Sequence, residues 1–141
     1  MKAEVHAESK NSTKVEVNVR GYKFEIDEPE ENGGTGDAPN PVEYELAALT
    51  GCFNVVAHLV AGEMDVEIES LEIRAEGDLN PAKFQGEETE DRAGFQEVSL
   101  DIDTESDADQ ETLKELFEEV ERRCPVRDNI SHETPVTMEI S

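Results

Sequence analysis

The first 28 residues alternate between apolar and polar side chains, with the two-residue period of half-buried β-strands. The alternating apolar positions are Val15, Val17, Val19, Tyr22, Phe24 and Ile26. The polar stretch SKNST interrupts an earlier apolar alternation and predicts a hairpin turn near Lys10 to Thr13. The stretch that follows, residues 27–41, is rich in Gly, Pro and Asn, which predicts a loop.

The longest apolar segment predicts a helix from Val42 to Ala61 that is buried on nearly every face, because apolar side chains occur all round it. Asn40 can cap this helix, Pro41 suits its first position, and Glu43 stands where a capping-box acid reaches back. We expect its few polar side chains to contact backbone groups or another helix, because they recur every four residues and form one stripe. The stripe consists of Thr50, Asn54 and His58.

The second half of the chain predicts an antiparallel strand pair followed by helices. Residues 66–79 and 95–103 have strand patterns, with a register change near Ser70 and a long acidic connection between them. Residues 106–123 predict an amphipathic helix, a short helix follows Pro125, and PVTMEI predicts a final strand. This order of elements predicts an α+β fold with mainly antiparallel strands, in a single domain over residues 1–141.

The charge of the chain is strongly negative. It has 36 acidic residues against 12 lysines and arginines, a formal net charge of -24. Nucleic acids and anionic membranes both attract positive charge, so we expect neither as a partner. Because the acids alternate with apolar residues, the pattern favours a folded protein with a carboxylate surface, as in a salt-rich cytoplasm, over disorder or a specific acidic binding role.

Composition also bears on assembly and location. Apolar residues make up 35% of the chain and aromatic residues 5%, so the core of one subunit would be thin and a homo-oligomer is expected. The first ten residues lack the apolar segment of a signal peptide. We expect the apolar run 46–61, which polar residues interrupt, to be too short and too polar to cross a bilayer. The protein is therefore expected to be cytoplasmic, with free or reactive thiols.

Cys124 has an unusual local sequence. Arg122 and Arg123 precede it, Arg127 follows three residues later, and Pro125 comes directly after it. The proline predicts that Cys124 lies near the N-cap of a new helix, where free N–H groups and guanidinium charges favour the thiolate. The alternative is a packed cysteine that extends the apolar stripe of the preceding helix. The local sequence does not choose between these two interpretations.

Cys52 lies on the long apolar helix, where burial is the ordinary expectation for a free cysteine. Gly51 beside it weakens that expectation, because a glycine inside a helix is usually compensated by the close approach of a backbone or a ligand. Glu45 lies two helical turns before Cys52 and shares a face with it. It could position a cation or a substrate oxygen, or be a solvated carboxylate.

Other cofactor signals are weak. The stretch DIDTESDADQET lacks the turn glycine and the final glutamate of a calcium loop. The three histidines have no metal-ligand spacing with either cysteine, and GGTGDAPNP lacks the pattern of a phosphate-binding loop. We therefore expect no bound metal, nucleotide or flavin.

The two cysteines lie in segments with an ordered set of short motifs. Residues 27–52 contain a glycine pair, a helix-starting proline, an acid just inside the helix and a run of small residues that ends in Cys52. RCPVRDN then carries Cys124 followed by proline. This set, with its spacing and the order of elements over nearly the whole chain, resembles the family of osmotically inducible protein C (OsmC) and the organic hydroperoxide resistance protein.

The resemblance implies an intertwined α+β homodimer with active sites at the subunit interface. It implies a thiol peroxidase that reduces organic hydroperoxides without a bound cofactor. Cys52 would be the peroxidatic thiol, Cys124 would resolve it as a disulfide, and an external dithiol would reduce that disulfide. The non-enzymatic alternative is an OsmC-like domain that binds a small molecule or senses oxidation.

The chain departs from the better-studied peroxidases in its supporting residues. Those members have an acid directly after the helix-starting proline, whereas here the acid is Glu43, one position later. They also have an arginine in the first hairpin turn, where this chain has Lys10, and its nearest arginine is Arg20. The arrangement here, Pro41 followed by Val42 and Glu43, is similar to that of the broad OsmC-like branch of the family. The resemblance therefore implies Arg20 or Lys10 as the cation beside Cys52, and Glu43 or Glu45 as its supporting acid.

Overall fold

A computed structural model describes the whole chain, Met1–Ser141, as two compact units, residues 1–47 and 48–141. All strand pairing is antiparallel, which confirms the predicted α+β class. A short 3-10 helix, Glu30–Asn32, lies in the loop before the first long helix. The main elements are β1 (His6–Ser9), β2 (Val15–Val19), β3 (Tyr22–Ile26), α1 (Pro41–Glu63), β4 (Ile68–Leu79), β5 (Phe95–Ser106), α2 (Gln110–Arg123) and α3 (Pro125–Ser131).

The first unit contains a three-stranded sheet in the order β1-β2-β3. The predicted hairpin turn is confirmed, since the Lys10 N–H donates to the Lys14 carbonyl at 2.9 Å. The turn between β2 and β3 is tight, with left-handed backbone at Arg20 (φ 52°) and Gly21 (φ 88°). Arg20 thus lies at the tip of the β2–β3 hairpin, in a backbone conformation that residues other than glycine seldom adopt.

Asp27 directly follows β3, and its side chain is fully buried. Its carboxylate accepts hydrogen bonds from the Thr13 hydroxyl and the Glu28 N–H, both at 2.8 Å, and from the Asp37 N–H at 3.2 Å. The hydroxyl and N–H of Thr35 also donate to it. The Thr35 hydroxyl, aided by the other donors, holds the pKa of Asp27 well below its usual value, although burial opposes this. One carboxylate thus joins the first hairpin turn to the loop before α1.

Helix α1 begins as the sequence predicts. The Glu43 N–H donates to the Asn40 side chain, and the Asn40 N–H donates to the Glu43 carboxylate, each at 2.9 Å. This reciprocal pair is a capping box, with Pro41 at the first helical position. By length and composition α1 is apolar enough to cross a membrane, a test that core helices of soluble proteins also pass. The expectation that this segment is too short and too polar to span a bilayer is therefore too strict.

The second unit has one apolar core, formed by one side of α1 and the buried stripe of α2. Leu113, Leu116 and Val120 are buried, which confirms the predicted amphipathic helix. Half-buried side chains of β4 and β5 pack against this core. The buried residues of the core are Leu49, Phe53, Val56, Ala57, Val60, Ala61, Leu116, Val120 and Cys124.

The opposite side of α1 is exposed, so the prediction that this helix is buried on nearly every face is wrong for a single chain. Val55 is 65% exposed and Leu59 54% exposed. Asn54 and His58, two members of the polar stripe, are also exposed, and a side-chain carbon added to Gly51 would meet nothing within 4 Å. The apolar pattern is continuous around the helix, whereas one chain covers only the side that faces its core.

Strands β4 and β5 form a long hairpin whose register shift between Ile68 and Ser70 confirms the predicted change near Ser70. Its half-buried face is apolar, with Ile73 opposite Ile102. Its exposed face is mostly acidic. Two cross-strand pairs on that face bring carboxylates opposite each other, which destabilises the hairpin. These pairs are Glu72–Asp103 and Asp78–Glu97.

The C-terminal segment differs from the sequence prediction. Residues 133–141 form no strand, so the predicted final strand PVTMEI is absent. Its alternating apolar side chains are almost fully exposed, at 91% for Val136, 83% for Met138 and 87% for Ile140. The alternation is present in the sequence, but no strand of the same chain pairs with it.

We predict that Asp27→Asn destabilises the protein at neutral pH and flattens its acid denaturation. Because the pKa of Asp27 is lowered on folding, its stabilising contribution is complete above the unfolded-state pKa of about 4 and is lost as the pH falls toward the folded-state pKa. The amide lacks the second acceptor oxygen, which lowers stability at neutral pH, and it does not titrate, so the pH-dependent part should vanish.

Thermal midpoints followed by circular dichroism from neutral pH to about pH 2 measure this effect. Asp107→Asn is the matched control, because Asp107 is exposed. Equal pH profiles for Asp27→Asn and the wild type would contradict the prediction.

We also predict that salt stabilises the fold and that part of this gain comes from the acidic face of the β4–β5 hairpin. Glu72→Lys would replace a like-charged pair by an opposite pair and should add about 0.5–1 kcal/mol at low salt. The gain in thermal midpoint from about 0.1 M to about 2 M KCl should be smaller than in the wild type. Glu88→Lys, in the loop between the strands, makes the same charge change without a cross-strand partner. An equal effect of both substitutions would assign the salt dependence to net charge alone.

Candidate active site

The two cysteines meet in the second unit, although 72 positions separate them along the chain. Cys52 lies on α1, and Cys124 lies between α2 and α3. Both thiols are free, and the Cys124 thiol donates a hydrogen bond to the Cys52 sulfur at an Sγ–Sγ distance of 2.8 Å. A disulfide has an S–S distance of about 2.05 Å, so only a short approach separates this pair from the bonded state.

The local sequence explains the position of Cys124. It follows Val120 by one helical turn and continues the buried stripe of α2, so that its exposure is only 1%. Pro125 ends α2 and starts α3, which leaves Cys124 as the N-cap of α3 with extended backbone. Its sulfur accepts the N–H of Arg127 at 3.4 Å. Cys124 is therefore packed in the stripe of α2, as one interpretation of the sequence expects, and it also lies at the N-cap of α3, as the other expects.

Cys52 is less enclosed than its partner. It is half-buried, and it packs against the core cluster that contains Leu49 and Phe53, its neighbours on α1. The glycine beside it has open space around it, so the close approach expected at Gly51 does not occur within this chain. Cys52 is thus the more exposed residue of the pair.

The environment of Cys124 keeps its thiol protonated. Burial, first, and the hydrogen bond to Cys52 raise the pKa of Cys124, whereas the N–H of Arg127 lowers it by less. The guanidinium groups around it do not reverse this effect, because each pairs with a carboxylate. The pairs are Arg122–Glu119 at 2.5 Å, Arg123–Glu63 at 2.6 Å and Arg127–Glu121 at 2.8 Å. The expectation that the arginines favour a Cys124 thiolate is therefore wrong.

This asymmetry has a chemical consequence. The arrangement suits a reaction in which Cys52 acts as the nucleophile and Cys124 then supplies the second sulfur of a disulfide.

The other predicted site residues belong to the first unit, where each has its own local environment. Glu43 takes part in the capping box, and Glu45 is exposed on α1. Lys10 lies in the first hairpin turn, 3.5 Å from the Glu8 carboxylate. The guanidinium of Arg20 stacks over the ring of Tyr22 at 5.4 Å. The structure brings together the two cysteines, and the roles of these four residues stay predictions.

An apolar cleft in the second unit was not predicted from the sequence. Its volume is ≈ 340 Å³, and its rim carries the ion pair of Glu121 and Arg127. The apolar alternation of β5 and the stripe of α2 predict buried faces, but the space between them depends on how the helices meet the sheet. Its apolar lining comes from α1, β5, α2 and α3: Leu49, Phe53, Val98, Leu100, Ile102, Phe117 and Ile130.

The side chains form no group of three His, Cys, Asp or Glu residues placed to hold a metal ion. His132 lies 3.3 Å from the Asp128 carboxylate at the end of α3, and His58 is exposed on α1.

Solved structures resemble this fold over most of their length. An OsmC-like protein from Mycoplasma pneumoniae matches with a TM-score of 0.81 and 20% identity, over 93% of this chain and 88% of that protein. The organic hydroperoxide resistance protein OhrB of Bacillus subtilis matches with a TM-score of 0.63 and 26% identity, over 91% and 89%. An organic hydroperoxide resistance protein OsmC from Legionella pneumophila matches with a TM-score of 0.65 and 22% identity, over 92% and 89%.

No curated protein sequence gives a significant match. The family model for OsmC-like proteins, in contrast, matches residues 34–139, which include both cysteines, helix α1 and the whole β4–β5 hairpin. The resemblance drawn from the sequence motifs is thereby confirmed, and the chain belongs to the OsmC-like protein family.

Proposed function

We propose that this protein is a thiol peroxidase that reduces organic hydroperoxides through Cys52 and Cys124. The observation that carries the proposal is the direct contact of the two sulfurs at 2.8 Å. Two relatives of the same fold, from Bacillus subtilis and Legionella pneumophila, are named organic hydroperoxide resistance proteins, which supports this substrate class.

The reaction begins with the thiolate of Cys52. It attacks the terminal oxygen of the hydroperoxide, an S–O bond forms, the O–O bond breaks, and the alkoxide leaves as the alcohol after taking a proton. The sulfur is oxidised by two electrons to a sulfenic acid. Cys124 then attacks that sulfur, an S–S bond forms and the hydroxyl leaves as water. An external dithiol reduces the disulfide by thiol–disulfide exchange and is itself oxidised to a disulfide.

The two sulfurs differ in ways that support these roles. A peroxidatic thiol must be reached by substrate, and Cys52 is the more exposed of the two. Burial and the hydrogen bond to Cys52 raise the pKa of Cys124 and disfavour its thiolate, which makes it the poorer nucleophile for the first step. The 2.8 Å separation then permits disulfide formation with little movement of the helices.

A thiolate at Cys52 needs a nearby positive charge. The three arginines nearest Cys124 in the sequence are paired with carboxylates, so they are poor candidates. We therefore assign this role to Arg20, with Lys10 as the alternative. Glu43, with Glu45 as the alternative, is the acid that would hold the cation.

A homodimer is part of the proposal. The exposed side of α1 carries Val55 and Leu59, and the C-terminal segment exposes alternating apolar side chains. Apolar surfaces of this kind on a chain with a net charge of -24 are best explained by burial against a second copy. We further propose that the protein is cytoplasmic. We also propose that it binds neither nucleic acid nor membranes, because its negative charge is repelled by both.

Cys52→Ser should lower consumption of cumene hydroperoxide in the presence of dithiothreitol by at least about a hundredfold, because the variant lacks the nucleophile. Cys124→Ser should retain the first step, so that without a reductant it reduces one equivalent of peroxide and leaves a sulfenic acid that dimedone traps. Assays in high salt screen the self-repulsion of the chain.

Equal rates for the wild type and Cys52→Ser would contradict the proposal. Formation of a Cys52–Cys124 disulfide by peroxide without sustained turnover would instead support a redox-sensing domain. Trapping of the sulfenic acid on Cys124 in Cys52→Ser, but not on Cys52 in Cys124→Ser, would reverse the two roles.

The wild type should be a dimer by light scattering, and Leu59→Asp should shift it toward monomer, because it adds a charge to the exposed apolar side of α1. Lys114→Asp introduces an aspartate on the exposed face of α2 and is the control. A monomeric wild type, or dissociation by both substitutions alike, would contradict this assembly.

A further inference from the structure

An ion pair at the end of α1 joins the helix of Cys52 to the segment that carries Cys124. The guanidinium of Arg123 donates to both carboxylate oxygens of Glu63, at 2.6 and 3.2 Å. Glu63 is the last residue of α1, and Arg123 is the last residue of α2, directly before Cys124. A paired contact between two planar groups fixes their orientation as well as their distance. We call this contact the Glu63–Arg123 bridge.

The position of Glu63 is unfavourable without this partner. A carboxylate in the last turn of a helix faces the negative end of the helix dipole. The last turn of α1 has no basic residue of its own, so Arg123 supplies the positive charge from the neighbouring helix. The hydrogen bond from Arg123 lowers the pKa of Glu63, although burial opposes this, so the carboxylate is ionised at neutral pH.

The bridge and the thiol pair are two separate points at which α1 contacts the end of α2. Glu63 lies about three helical turns beyond Cys52, roughly 16 Å along the axis of α1. Arg123 contacts the first point, and Cys124 contacts the second with an Sγ–Sγ distance of 2.8 Å. One contact alone would let the end of α2 pivot on α1, whereas two contacts this far apart limit both rotation and sliding. The bridge therefore restrains the distance between the two sulfurs.

The other two arginine pairs near the thiols do not reach α1. The pair Arg122–Glu119 lies within α2, and the pair Arg127–Glu121 joins α3 to α2. Of these three arginine pairs, the one with Glu63 is therefore the one that can set the position of the second thiol relative to the first.

We propose that Glu63 is a positioning residue for the thiol pair, which holds Cys124 at Cys52 through Arg123 and so favours formation of the disulfide. This role rests on the disulfide step of the proposed function, but it does not require that a hydroperoxide be the oxidant. Oxidised glutathione can take its place. An S–S bond then forms between the two cysteines, the S–S bond of glutathione breaks, and the two protons and two electrons of the thiols pass to two molecules of reduced glutathione.

The equilibrium constant of that exchange tests the proposal. A merely structural contribution stabilises the oxidised and reduced proteins alike and leaves the constant unchanged, whereas a positioning residue raises it by raising the effective concentration of one thiol at the other. In Glu63→Gln we expect the constant to fall about two- to fivefold at low salt, the range for a partly exposed ion pair. The difference from the wild type should narrow toward about 1 M KCl, where the pair is screened. Acid quenching, alkylation and mass spectrometry measure the oxidised fraction.

The surroundings of the bridge separate position from charge. Arg123 also lies 3.6 Å from Glu119 on its own helix, so in Glu63→Gln the guanidinium keeps a carboxylate partner and does not become a free charge beside the thiols. Glu118→Gln is the matched control, because it removes the same charge from a pair with Lys114 that lies within α2. Its equilibrium constant should stay close to that of the wild type.

A double-mutant cycle tests whether Glu63 acts through Arg123. Arg123→Gln should lower the constant much as Glu63→Gln does, and the variant with both substitutions should be no lower than the lower of the two. Additive effects would show that the two side chains act independently and would contradict the bridge.

The outcomes separate this proposal from the peroxidase itself. An unchanged constant in Glu63→Gln, even with a lower thermal midpoint, or an equal fall in Glu118→Gln, would overturn the positioning role and leave the peroxidase proposal intact. The expected fall in a protein that consumes no cumene hydroperoxide would support the positioning role and contradict the peroxidase. Failure of the wild type to form the Cys52–Cys124 disulfide would overturn both the positioning role and the resolving step.

Discussion

The contact between the sulfurs of Cys52 and Cys124 constrains how the helices of the second unit are arranged. It requires that α1 and the end of α2 lie side by side, and the buried stripe of Leu116 and Val120 provides this packing. It also requires that α2 end where it does, since Pro125 turns the chain directly after the second sulfur. The same apolar core that stabilises the helices thus sets the reactive distance. A substitution that moved α2 along α1 would change stability and chemistry together.

The charged side chains near the thiol pair form ion pairs with each other and do not set the pKa of Cys124. Around the thiol pair the arginines are paired with carboxylates on α1 and α2, and two of the three pairs, Arg123–Glu63 and Arg127–Glu121, join different helices. In a chain with three times as many acids as bases, cations are scarce, and most of them stand beside an acid. The environment of Cys124 is consequently governed by burial and by its neighbouring thiol, and not by the charges that adjoin it in the sequence.

The sequence predicts what is decided locally. The capping box of Asn40 and Glu43, the buried stripe of α2 and the turn at Pro125 all follow from neighbours within a few residues, and the structure confirms them. It does not predict what depends on contacts between distant segments. The exposed side of α1, the unpaired C-terminal segment and the apolar cleft depend on which surfaces meet, and the apolar pattern alone does not specify the partner. The raised pKa of Cys124 is likewise not predicted from the sequence, because its causes are burial and a residue far away in the chain.

The N-cap of α3 has a consequence for how the protein responds to oxidation. A helix of seven residues is too short to be stable alone, so α3 relies on its packing, on Pro125 and on the sulfur that accepts the Arg127 N–H. If the two thiols formed a disulfide, the bonding of this sulfur would change. The first turn of α3, with the backbone at Arg127, is therefore the part of the chain that such a reaction would reach first.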